Sequence, residues 1–251
     1  MHHVTLTFTP VRAPIDGRTV TARGLHGMLF NILQQADKPE SDWLHQHGAP
    51  RPFSFVPLYT DDGILAGMRL AAITERTATL FIRTGEWFQK QGRICHLAGQ
   101  EFIIDQARHA PGPSWQQLAF SQPTRQMGLR FISPTAFKQG PGHLPLPLPG
   151  NIFGGPVRIW EAFAPPMMRL PDGWLDWCRR EVFVTQHHIE TVAVNISKRE
   201  QFTGFVGEVY LDAHRGAEAN LCAWQALTDL ATFCGVGHKT TMGMGAVERI
   251  S

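Results

Sequence analysis

The sequence predicts an α+β chain of two tandem ferredoxin-like domains with a C-terminal glycine-rich loop. Three observations carry that prediction. The first half reads β-α-β-β-α-β, the split βαβ plan. The second half passes through the same plan more loosely. The chain has 251 residues, which is room for two domains, and its 43% apolar and 18% charged composition suffices for real cores.

The elements follow in order. Thr5, Thr7 and Thr9 alternate with Val4, Leu6 and Phe8, the period-two mark of a strand over Val4–Phe8. Leu25, Met28, Leu29, Ile32 and Leu33 recur at helical spacing and predict a helix over about 24–36. Asp37 and Glu40 have the spacing of a capping box, opening a short helix with Trp43, Leu44 and His45 that stops at Gly48. Pro52–Leu58, Met68–Ile73 and Thr77–Arg83 read as strands, Gly85–Leu97 as a helix and Glu101–Arg108 as a strand. Three prolines and a short Trp115–Phe120 helix lie between His109 and Pro123, so the domains are expected to be 1–120 and 121–251.

In the second half, Gly128–Ile132 reads as a strand and the Pro/Gly-rich Gly140–Pro149 as loop. Helices are expected over Asn151–Phe163 and near Gly173–Arg180, and a strand pair over Val182–Ser197 and Phe202–Leu211. Ala217–Phe233 is a helix with Ala223, Leu227, Leu230 and Ala231 on one face, and Gly245–Ile250 is the last strand. Trp160, Trp174 and Trp177 sit at helical spacing among apolar residues and are assigned to core.

Composition excludes several function classes. No run of 18 apolar residues occurs, so no membrane span is expected, and MHHVTLTF lacks the order of a signal peptide. Four widely spaced cysteines without a CxxC pair suggest free thiols in a reducing cytoplasm. The 12 histidines include no HExxH and no Cys/His cluster at zinc spacing, so neither a metal nor another cofactor is expected. The net charge of +2 rules out a binder held by bulk charge. It leaves room for a local groove, because 18 of the 23 cations are Arg, whose planar fork suits phosphate. An Arg-rich composition is also common in proteins from GC-rich genomes.

The most informative segment runs from Gly235-Val236-Gly237 through His238 and Lys239 to Gly243-Met244-Gly245. Four glycines in eleven residues permit positive φ and close backbone approach, and successive amides there could form an anion nest. A nucleotide P-loop is excluded because the direction is helix to strand and the GxxxxGK[ST] spacing is absent. A helix cap followed by a bulge would need only one of these glycines.

This Gly-apolar-Gly, five residues, Gly-apolar-Gly pattern resembles the signature of the CRISPR-associated endoribonucleases that process repeat RNA, members of a repeat-associated, RNA-recognition-like superfamily. Leu129 to Phe137, with Ser133-Pro134-Thr135, is similar to that family's strand-to-loop element, and Phe202-Thr203-Gly204-Phe205-Val206-Gly207 to its hairpin. Gly24-Leu25-His26-Gly27, Leu44-His45 and Pro52-Phe53-Ser54 follow the same layout, so the resemblance covers nearly the whole chain.

The resemblance implies metal-independent cleavage of CRISPR repeat RNA, the pre-crRNA. The ribose 2′-hydroxyl would attack the adjacent phosphate, leaving a 2′,3′-cyclic phosphate and a 5′-hydroxyl end. Such chemistry needs a base, an acid and cations on the phosphorane. Relatives carry a catalytic His and a Lys at the corresponding places after the same helix, so His45 is the favoured acid or base and Arg51 the phosphate stabiliser. Some relatives carry a Tyr where this chain has Phe30, and Phe cannot transfer a proton, so any such role must move elsewhere, and His26 or His47 could take it. RNA contacts are expected from Gly235, Gly237, His238, Lys239, Gly243 and Gly245, and from Arg125, Arg130, Arg179, Arg180, Lys198 and Arg199. Each of these cations could equally belong to an ordinary solvated surface, and His187-His188 to an exposed strand pair. Partners would be repeat RNA and CRISPR effector subunits, with the protein a monomer or homodimer. Two alternatives stand beside this reading. One is a non-catalytic RNA-binding subunit. The other is a two-histidine phosphoesterase built on His3-Val4-Thr5 and His238-Lys239-Thr240.

Overall fold

The computed structural model describes residues 1–250. The chain divides into two compact units. The first takes Met1–Gly112 together with Val194–Gln201 and Thr241–Gly243, and the second takes Pro113–Ala193, Phe202–Thr240 and the chain from Met244 onward.

The first unit begins with β1 (His2–Pro10), whose alternate residues Val4, Leu6 and Phe8 are buried. Helix α1 (Ala22–Ala36) is capped by Thr21 and buries the expected stripe of Leu25, Met28, Leu29, Ile32 and Leu33. Helix α2 (Lys38–Gln46) starts at Asp37, whose carboxylate accepts from Glu40 N at 3.1 Å. The Glu40 side chain does not close the capping box; it takes Arg76 at 2.7 and 3.0 Å instead. Strands β2 (Phe53–Tyr59) and β3 (Leu65–Ala72) follow.

The segment expected as a strand at Thr77–Arg83 is helical. It forms the first half of α3 (Glu75–Gln91), which Thr74 caps and Gly92 ends in the left-handed conformation. Its buried residues include Thr77, Ala78, Phe81, Thr84, Gly85 and Phe88, a helical stripe disguised by two buried threonines. The helix expected to reach Leu97 stops at Gln91, and β4 (Ile94–Leu97) pairs with β5 (Gln100–Pro111). The sheet order β2-β3-β1-β5-β4 is ferredoxin-like with one added edge strand.

The second unit opens with α4 (Trp115–Ala119) and β6 (Gln126–Thr135). The Gly/Pro stretch expected as loop holds a small hairpin, β7 (Phe137–Gln139) with β8 (Gly142–Leu144), turned at Gly140 with φ +54°. Helices α5 (Pro149–Phe163) and α6 (Trp174–Glu181), strands β9 (Val182–Ser197) and β10 (Glu200–Ala213), helix α7 (Glu218–Cys234) and β11 (Val247–Ile250) complete it. Its sheet order, β11-β6-β10-β9, repeats the ferredoxin-like plan. Trp160, Trp174 and Trp177 are buried, as is the Ala223, Leu227, Leu230 and Ala231 face of α7. All four cysteines are free thiols, and burial pushes Cys178 and Cys234 up to about 12. No helix among the described residues is long and apolar enough to cross a membrane.

Candidate active site

The buried stripe of α1 places His26 at the margin of the first unit's core, half-buried, with Phe30 one turn further on and buried. His45 stands exposed near the end of α2, and Arg51 precedes β2. The folding of α2 against α1 brings these groups together. The Phe30 ring centroid lies 4.8 Å from those of both His26 and His45, and the two imidazoles are 6.4 Å apart. Phe30 packs in turn on Phe53 at 6.1 Å, which ties the pair to β2. Arg51 is partly buried, and its Nη1 has no hydrogen-bond partner among the described residues.

The electrostatics of the two histidines are set by their surroundings. Burial lowers the pKa of His26, the Thr241 carbonyl partly offsets this, and the charges of Arg51 and His45 lower it further. His26 is therefore neutral near pH 7. Its Nδ1–H donates to Thr241 O at 2.7 Å. A carbonyl only accepts, so the proton sits on Nδ1 and Nε2 carries the lone pair. A half-buried neutral imidazole with one nitrogen fixed as donor is a ready base, and the exposed His45 beside it is open to a substrate.

His47 does not join this group. Its Nδ1–H donates to Gly48 O at 2.8 Å and its ring packs on Trp43 at 5.6 Å. Lys198 and Arg199 occupy the β9–β10 turn, which belongs to the same unit as His26, and neighbouring Glu200 pairs with Arg23 of α1 at 3.5 Å.

The glycine segment is a packing module. Val236 N donates to Gly245 O (2.7 Å), Gly245 N to Pro134 O (3.1 Å), His238 N to Ala136 O (2.9 Å) and Ala246 N to Ser133 Oγ (2.8 Å). The Ser133-Pro134-Thr135-Ala136 stretch and the glycine segment are thus two sides of one structure. A Cβ at Gly245 would lie 2.0 Å from Val236 O, and one at Gly237 would lie 2.5 Å from Ala136 O. These N–H groups face protein acceptors, so the glycines serve close approach and positive φ rather than an anion nest built on those amides. Gly235 and Gly243 also have positive φ, and Lys239 shares it at 64°.

The remaining cations lie in the second unit. Arg130 is bonded to Glu208 (3.0 and 2.7 Å), Arg125 reaches the carbonyls of Ala213 and His214, and Arg180 is exposed. Arg179 and His238 line one concavity with Lys138 and Arg158, which the sequence did not single out. His238 lies on the loop before β11, so the second HxT motif of a two-histidine phosphoesterase lacks its strand. Among the described residues no group of three or more His, Cys, Asp or Glu is placed to hold a metal.

Residues 129–247 match the family model described as CRISPR-associated endoribonuclease Cas6. A Cas6 from Thermus thermophilus, solved as a product complex, superposes with a TM-score of 0.82 at 25% identity over 99% of each chain. This chain resembles the Cas6 family. A second Cas6 product complex matches this chain at TM-score 0.80 and 23% identity over the full length of both. A Cas6-related protein from Pyrococcus furiosus shares the fold at TM-score 0.61 and 10% identity over 99% of this chain and 98% of its own. No curated protein matches in sequence.

Proposed function

We propose that this chain is a Cas6-type endoribonuclease that cuts CRISPR repeat RNA by attack of a ribose 2′-hydroxyl on the adjacent phosphate. His26 Nε2 takes the 2′-hydroxyl proton while the 2′-oxygen bonds to phosphorus. His45 gives a proton to the departing 5′-oxygen as the P–O5′ bond breaks. Arg51 bonds a non-bridging oxygen and stabilises the charge that gathers on the phosphorane. The products are a 2′,3′-cyclic phosphate and a 5′-hydroxyl, and every proton is accounted for by the two imidazoles, with no metal required.

One observation carries this reading: the two histidines both pack on Phe30, beside Arg51, with their rings held apart. In an in-line displacement the attacking and leaving oxygens stand on opposite sides of phosphorus. Base and acid must therefore be separated, and a 6.4 Å ring separation supplies that. The buried Nη1 of Arg51 is a donor without an acceptor, which costs about 1–3 kcal/mol in a folded protein. A phosphate oxygen would fill that need. The Phe30 ring packs against both histidines and transfers no proton itself.

In this reading residues 1–120 carry the chemistry and residues 121–251 contribute RNA contacts through His238, Lys239 and the arginines. The enzyme acts in the cytoplasm and hands its guide RNA to CRISPR effector subunits. The test is single-turnover cleavage of repeat RNA by His26→Ala and His45→Ala. Each is expected to lose about 100- to 10,000-fold in rate with RNA affinity retained. Tight binding without cleavage by the unmodified protein would identify an RNA-binding subunit instead.

A further inference from the structure

We infer that the concavity at the start of α5 is a binding pocket for one nucleotide unit of single-stranded RNA, apart from the cleavage chemistry at His26 and His45. The inference rests on the RNA-cleaving reading above. The pocket lies wholly within the second unit and has a volume of about 260 Å³. Lys138, Arg158, Arg179 and His238 line it, and no acidic residue does. Three permanent cations facing one hollow without a carboxylate is an arrangement that repels itself and attracts an anion.

Lys138 and Arg158 are exposed and have no ion-pair partner among the described residues. Arg179 does pair with Asp176 at 2.8 Å, but the two are 57% and 69% exposed, so the pair is weak and easily exchanged for a phosphate. Arg179 lies against the first turn of α5 only because position 150 is glycine; a Cβ there would meet Arg179 Cγ at 2.5 Å.

The other features fit a nucleotide better than a bare anion. The volume lies below the about 300–1,000 Å³ of drug-sized sites, which suits one phosphate with its sugar and excludes a duplex. Gly155 leaves part of the wall bare, since a Cβ there would meet nothing within 4 Å. The His238 ring, 5.3 Å from that of His143 and inclined to it by 31°, offers a flat face on which an unpaired base can stack.

The test is equilibrium titration of repeat RNA across a salt series, in a His26→Ala background that blocks cleavage. Lys138→Ala and Arg158→Ala should each weaken binding by about five- to tenfold and lower the slope of log affinity against log salt by about 0.7. Gly155→Phe fills the hollow without changing charge, and should weaken binding about tenfold with the slope unchanged. Lys90→Ala, the same charge change on the exposed face of α3, should alter affinity less than twofold. Thermal melting of each variant checks that it is folded. In an otherwise unmodified background the cleavage rate at saturating protein should match the parent for all four. If the parent binds and cuts RNA but the pocket variants behave like Lys90→Ala, the pocket is overturned and the cleavage reading stands. If only the charge variants weaken binding and Gly155→Phe does not, the surface is a diffuse basic patch and the nucleotide pocket is overturned. If the unmodified protein neither binds nor cuts repeat RNA, both readings fall.

Discussion

In the proposed mechanism, His26 is a side chain prepared for proton transfer by its neighbours. Burial holds it neutral, and the Thr241 carbonyl decides which nitrogen keeps the proton. A base must be unprotonated, so activity falls when pH drops through the pKa of His26. Because that pKa is lowered, the acidic limb of kcat/KM should fall below the ordinary imidazole value of about 6.5. A pH–rate profile with its acidic limb at or above that value would show that another group is the base. His45 and Arg51 were singled out through the family resemblance, and His26 as one of two histidines that could take the place of the missing Tyr. The Thr241 contact was not. It is a backbone oxygen 215 residues away, and no residue type announces it.

Among the elements, α3 and the glycine segment differ most from a linear reading. Thr77 to Arg83 mixes β-branched and apolar residues in a run that suits a strand as well as a helix. The decisive signal was local, a Thr74 hydroxyl that accepts from Thr77 N at 3.3 Å. Thr74→Ala should therefore cost about 1 kcal/mol and lower the melting temperature by a few degrees, an effect absent if the segment were a strand. The small hairpin at Phe137–Leu144 was hidden because its prolines and glycines read as loop. The glycine motif itself stood out, but its partner did not. Only the fold shows that Ser133 to Ala136 accepts its hydrogen bonds. Gly245→Val forces a β-branched residue to φ +70° and a Cβ to 2.0 Å from Val236 O. It should destabilise the protein by at least about 1–3 kcal/mol in thermal unfolding, before RNA is added.

At the scale of the whole molecule, the duplicated ferredoxin-like plan was readable from the order of periodicities, and both sheets carry it. The compact units take in short segments far apart in sequence, Val194–Gln201 and Thr241–Gly243 among them, and nothing in local composition marks such segments. The small net charge of +2 conceals cations gathered at particular places, so RNA affinity should still fall steeply with salt. The central claim is 2′-hydroxyl attack driven by His26 and His45. It is tested most directly by incubating the protein with repeat RNA in excess EDTA, mapping the cut, and repeating with a single 2′-deoxy nucleotide on the 5′ side of that bond. The account predicts cleavage in EDTA, a 2′,3′-cyclic phosphate on the upstream product, and complete loss of cutting at the 2′-deoxy site. Cleavage that persists at the 2′-deoxy site, or that stops in EDTA and returns with a divalent cation, would contradict it.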